Sequence, residues 1–312
     1  MPAADLAVLN AMLLGRRADL GKQEVLRFRQ AGAQHLLALS GLHLGIFIGI
    51  FSFLVLKRAR FSRYRWLVLA AVLSLLWAYC LVAGMPQSLL RAMLMASFYY
   101  VAAFCDRKVE GSVLLANTLL VMLLIDPLAL FDVGTQLSFA AVGSLVWLYP
   151  QLDSVFPYEA FPKNRKGVML RRIWQMLMVS LSAWIGTFPL CAYYFHQFQP
   201  WQPLVSLFLI PATAVLLYTA LFLLLLCLSN AWFLAVPFGK VVSWWITLEN
   251  AMLDLAGKLP CSTMSCPAIR WEHVCLLYLL FLFVGVGMQA SRKVQLYAFL
   301  SILFVLLLLL ML

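Results

Sequence analysis

The chain has 312 residues, 64% of them hydrophobic and only 11% charged. That composition, with a mean hydropathy of +0.94, excludes an ordinary soluble domain and fits an all-α, polytopic membrane helical bundle. A formal net charge of +11 invites a nucleic-acid reading, but the basic residues gather in particular loops, which is how a membrane protein sets its orientation.

The N-terminal stretch MPAADLAVLNAMLLGRRADLGKQEVLRFRQAG has no basic segment followed by an apolar run and a small-residue cleavage site, so no removable signal peptide is expected. It reads as two short amphipathic helices broken near Gly15 and Gly21, an interfacial segment over residues 1–34. Residues 35–312 then form the membrane domain. A crossing needs about 20 apolar residues. Spans are expected near 36–56, 66–84, 87–104, 111–125, 133–150, 173–194, 203–228 and 274–290, with a terminal one from 294. The stretch 231–259 must also cross if the basic loops are to fall on one side, which gives about nine or ten helices with broken or re-entrant pieces. The loops in question are KRARFSRYR at 57–65, DRK at 106–108, and KNRK with Arg171 and Arg172. Placing them inside puts the entry of the first span outside.

That first span carries an unusual polar cluster in AGAQHLLALSGLHLGIFIGI, residues 31–50. At 100° per residue, Gly41, Gly45 and Gly49 share one face, a groove for close helix packing. Ser40 and His43 fall nearly opposite, as a polar pair satisfied inside the bundle or as the edge of a hydrated path. His35 sits at the entrance and reads as interfacial. The ALSG tetrapeptide is a poor serine-protease motif, and the four histidines never form HExxH, so intramembrane catalysis is not expected. No metal set, phosphate loop or nucleotide fingerprint occurs, and neither cofactor nor enzymatic activity is expected.

Arg91, in PQSLLRAMLM after Gln87, is the only basic residue between Arg65 and Arg107. A guanidinium does not lose its charge in proteins, and at membrane depth it costs about 3 kcal/mol on insertion scales. Its compensation is expected from Asp126 or Asp132, from Glu249 or Asp254, or from an anionic ligand. In LLIDPLALFDVGTQLSF, Pro127 disfavours helix at Asp126 and Asp132 is placed to cap the next helix, so residues 126–132 should form a short turn or re-entrant piece. Gln136 and Ser138 follow on that next helix. Of seven cysteines, only Cys261 and Cys266 sit together in a loop, where a disulfide forms if the loop faces an oxidising compartment and the geometry permits it.

Four ordered stretches of this chain resemble the ComEC-type competence proteins, the inner-membrane channel family for bacterial DNA uptake. They are LNAMLLGRRADLGKQEVLRFRQAGAQHLLALSGLHLG, PQSLLRAMLM, DPLALFDVGTQLSFAAVGSL, and AWIGTFPLCAYYFHQFQPWQPLVSLFLIPA. Two departures stand out: Thr135 occupies a position where the family usually has an aromatic, and Ser206 one where an asparagine is common. The resemblance implies import of single-stranded DNA across the bacterial cytoplasmic membrane. Many members add an extracellular OB-like domain and a metallo-β-lactamase-like nuclease domain, and the 312 residues hold neither, so a core-only form, a split product and a fragment all fit. A separate nuclease or OB-like chain, a DNA receptor and a cytoplasmic helicase are the implied partners beside DNA and the bilayer. Ser40, His43, Gln87, Arg91, Asp126, Asp132, Gln136 and Ser138 become candidates for the DNA path, with Tyr99 and Trp244 as surfaces for base stacking. Other classes remain open from the residues themselves: a small-solute or lipid transporter, or a non-conducting membrane scaffold.

Overall fold

The structure is a computed structural model, described here over residues 2–16, 19–37, 41, 44, 45, 49, 64–156, 161–266 and 270–288. Among the described residues it is all-α apart from one two-stranded pairing. The helices are α1 (Ala3–Leu14), α2 (Lys22–Gln30), α3 (Arg65–Val82), α4 (Gln87–Phe104), α5 (Gly111–Ile125), α6 (Val133–Trp147), α7 (Tyr149–Ser154), α8 (Arg165–Phe195), α9 (Gln202–Leu228), α10 (Trp232–Gly257) and α11 (Trp271–Met288). Short 3₁₀ turns cover Gln34–Leu36 and Pro127–Phe131. Strand β1 (Gln197–Phe198) pairs antiparallel with β2 (Met264–Ser265).

Among the described residues α3, α8 and α9 are long and apolar enough to cross a membrane, and α1 and α5 are shorter apolar helices. At about 1.5 Å per residue, the 31 residues of α8 exceed what a span requires. The expected spans at 87–104 and 111–125 coincide with α4 and α5. The expected terminal span from 294 and most of the expected span 36–56 lie outside the described residues.

The chain forms two compact units, Met1–Thr135 with Gln199–Thr263, and Gln136–Phe198 with Met264–Leu312. In the first unit, α3 and α4 form a hairpin. Its turn runs through Gly84 (φ 79°) and Met85 (φ 51°), both left-handed, before Pro86 precedes α4. Glycine tolerates that conformation freely, and the Met85 amide closes back on the Cys80 carbonyl at 2.9 Å, satisfying a helix-end acceptor. Leu69, Val72, Leu76 and Cys80 of α3 pack with Leu89 and Met93 of α4, and Trp77 Nε1 donates to Ser97 Oγ at 3.2 Å.

A second core in that unit joins α9 and α10. Leu209, Leu216 and Ala220 of α9 meet Val242, Ile246 and Leu253 of α10. Helices α1 and α2 belong to this core through Val8, Met12 and Phe28. They break at Gly15, which is left-handed at φ 72°, and restart after Gly21, as the glycines predict. Helix α1 buries Ala11 and Met12 completely and packs against α9.

In the second unit, α6, α8 and α11 meet. A Cβ on Gly186 of α8 would collide with the Ser144 side chain and lie 2.8 Å from the Ala140 carbonyl oxygen of α6. Only glycine permits this approach. The Gly186 carbonyl in turn accepts from the Tyr278 hydroxyl of α11 at 2.8 Å.

Candidate functional site

The broken segment follows from its sequence. Pro127 has no amide to donate and constrains the residue before it. Asp126 is extended (φ −142°, ψ 99°), ends α5, and accepts from the Leu128 amide at 3.0 Å. The chain turns through the 3₁₀ piece and restarts at Asp132, whose Oδ2 accepts from the Thr135 amide at 2.7 Å and from Thr135 Oγ1 at 2.9 Å. Asp132 therefore caps α6, satisfying one of the amides that the first turn of a helix leaves free.

Arg91 completes this arrangement from α4. It is 2% exposed, the largest fully buried side chain among the described residues. Its Nη1 donates to Thr135 Oγ1 at 2.9 Å and its Nη2 to the Gly134 carbonyl oxygen at 3.0 Å. The Thr135 hydroxyl accepts from the guanidinium while donating to Asp132. It relays between opposite charges that make no direct ion pair. Of the expected compensators, Asp132 acts, through this intermediary. Asp126 instead serves the turn, Asp254 pairs with Arg27 of α2 at 3.2 Å, and Glu249 accepts from Thr213 Oγ1 at 2.5 Å. Arg91 Nε and Gln87 Oε1, one helical turn apart, are buried without a hydrogen-bond partner.

Thr135 was visible in the sequence only as a departure from the family pattern. Its role as the acceptor for Arg91 was missed, and the available signal was a hydroxyl three residues after a capping aspartate. Ser206, the other departure, lies on the packed face of α9 and is 7% exposed.

The remaining candidates disperse. Gln136 accepts from the Tyr194 hydroxyl at 2.7 Å within the second unit, and Ser138 is partly buried there. Ser40 and His43 lie outside the described residues. Along the glycine ladder, a Cβ on Gly41 would lie 3.6 Å from that of Ala92 on α4, one on Gly49 would lie 3.5 Å from the Tyr218 hydroxyl of α9, and Gly45 has open space around it. Tyr99 is 51% and Trp244 59% exposed, each edge-on to the neighbouring aromatic, Tyr100 or Trp245. Cys261 and Cys266 are both free thiols, with Cys261 on a left-handed turn at φ 56°. A cavity of about 300 Å³ opens in the second unit, walled mainly by apolar groups of Ala140, Gly143, Trp147, Ile185 and Phe281.

The sequence model of the Competence protein family matches residues 12–291, through both units. The chain belongs to this family. Its relatives include ComE operon protein 3 of Bacillus subtilis, 29% identical over 251 residues that make up 80% of this chain and 29% of that protein. Competence protein ComA of Neisseria gonorrhoeae is 33% identical over 156 residues, 46% of this chain and 22% of that protein. The uncharacterized protein YcaI of Escherichia coli is 24% identical over 263 residues, 80% of this chain and 34% of that protein. The chain thus aligns with about a third or less of the length of the relatives it matches. No solved structure matches it. Within the competence family region fall all of α2–α11 and the whole Arg91, Thr135 and Asp132 arrangement.

Proposed function

We propose that this chain is the membrane-embedded core through which single-stranded DNA enters the cytoplasm during natural transformation, seated in the bacterial cytoplasmic membrane as a multi-pass protein. The observation that carries this reading is the competence family match over residues 12–291 on a chain built from apolar helices. The role is conduction rather than chemistry, so no residue here is assigned a catalytic part. Nuclease and OB-like functions, a DNA receptor and a cytoplasmic helicase, in the same polypeptide or on separate chains, complete the pathway.

Within that reading, Arg91 is a positioning residue. Both its Nη groups are engaged by α6, so it fixes the break between α5 and α6 rather than meeting phosphate directly. Non-helical backbone inside a membrane persists only where protein or water covers it, and a segment held in this way can border a wet path. Gln87 Oε1, buried on the same face and unpaired, offers an acceptor along it.

The test is uptake of labelled DNA in a deletion strain with and without this chain restored. Restored cells should protect labelled single strands and yield transformants. Unchanged uptake in the deletion strain overturns the reading. In restored cells, Arg91→Ala should abolish uptake only together with a fall in the folded protein, as a positioning role requires.

A further inference from the structure

The interface of α9 and α10 contains a group that the DNA-uptake reading does not use. Glu249 lies in the middle of the buried stripe Val242, Ile246, Leu253 and Ala256 on α10, and is itself 3% exposed. Facing it on α9 is Thr213, fully buried within an equally apolar stripe that includes Leu209, Leu216 and Leu217. The Thr213 hydroxyl, 2.5 Å from Glu249 Oε1, is its hydrogen-bond partner, and a hydroxyl carries no charge.

Among the described residues, the charged groups on the packed elements do not compensate it. Helix α9 has no charged residue, and its titratable side chains are Tyr218 and Cys227. On α2, Arg27 is committed to Asp254, and Lys22, Glu24 and Arg29 complete that helix's charges. Helix α1 contributes only Asp5, in its first turn. On α10 itself, Lys240 stands nine residues before Glu249 and Asp254 five after. Glu249 makes no ion pair with any of these groups. An ionised carboxylate in such a place would be an uncompensated buried charge, which proteins avoid by neutralising the group.

We propose that Glu249 and Thr213 form a proton-binding site: Glu249 is a neutral carboxylic acid in the resting protein, and it releases its proton only when α9 and α10 part enough to admit water. The ligand is the proton, exchanged with the aqueous phase, and no other co-reactant is needed. Proton release is thereby coupled to a change in the packing of the central core of the first unit. This goes beyond DNA uptake and does not depend on it.

The experiment is infrared difference spectroscopy on the full chain in lipid nanodiscs at neutral pH, wild type against Glu249→Gln. The wild type should show a carboxylic-acid C=O band that the variant lacks, and the band should move to lower wavenumber in D₂O as its proton exchanges. Thr213→Val should shift the same band upward, because the carbonyl loses its hydrogen bond. Finding carboxylate bands instead, or a band unmoved by D₂O, overturns the proposal. Glu249→Gln mimics the neutral acid in size and charge, so it should melt with the wild type; a variant that fails to fold also overturns it. Transformation assays read DNA uptake separately, so failure of either reading leaves the other to stand or fall by its own measurement.

Discussion

Two buried polar sites in the first unit solve the same problem differently. Arg91, 2% exposed, is met by a hydroxyl, a carbonyl and, through Thr135, the carboxylate of Asp132. Glu249, 3% exposed, meets one hydroxyl. A guanidinium keeps its charge at any physiological pH, so its burial demands acceptors and a nearby negative charge. A carboxyl group can shed its charge with a proton, and a single neutral partner then suffices. The contrast also separates two kinds of work. One site holds a broken segment in place, and the other can change state.

Substitutions can break this comparison, and the largest effect is expected at Arg91. Arg91→Met removes both hydrogen bonds from α4 to the first turn of α6, at a cost of about 3 kcal/mol, or about 1.5 kcal/mol for each charge-assisted bond. Unfolding midpoints in detergent would measure it; a midpoint equal to the wild type would mean that Arg91 is not a structural tie. Thr135→Val should cost about 1–2 kcal/mol in the same assay, since it removes the relay hydroxyl while leaving the backbone cap of Asp132 intact. Thr135→Ser should restore most of the loss. At the other site, Thr213→Val should cost only about 1 kcal/mol, the worth of one neutral hydrogen bond. A loss as large as that of Arg91→Met would show that Glu249 carries charge after all. The smallest effect belongs to Arg27→Gln. Its pair with Asp254 is about two-fifths exposed on both sides, and such pairs contribute under about 0.5 kcal/mol once screened by solvent. A greater loss would mean that the α2–α10 contact supports the Glu249 site electrostatically.

The glycine positions separate what spacing specifies from what packing adds. Spacing places Gly41, Gly45 and Gly49 on one face, and helical geometry guarantees that much. It does not say which helix will come near, and Ala92 of α4 and Tyr218 of α9 approach at opposite ends of the ladder. Gly186 has no such spacing to announce it, yet α6 approaches α8 there at a distance that leaves no room for a Cβ.

By itself the sequence determined the all-α membrane character, the ends of α4 and α5, the break at Asp126 and Pro127, and the capping role of Asp132. These follow from short-range causes: apolar run length, the missing proline amide, and a side chain within reach of its own helix start. Tertiary structure alone decided that Thr135 receives Arg91, that Thr213 receives Glu249, and that α1 joins the core of α9 and α10. Each of those contacts joins residues at least 36 positions apart in the chain. Partner choice at that separation is set by how helices pack, and many side chains of similar chemistry compete for each place until packing excludes all but one.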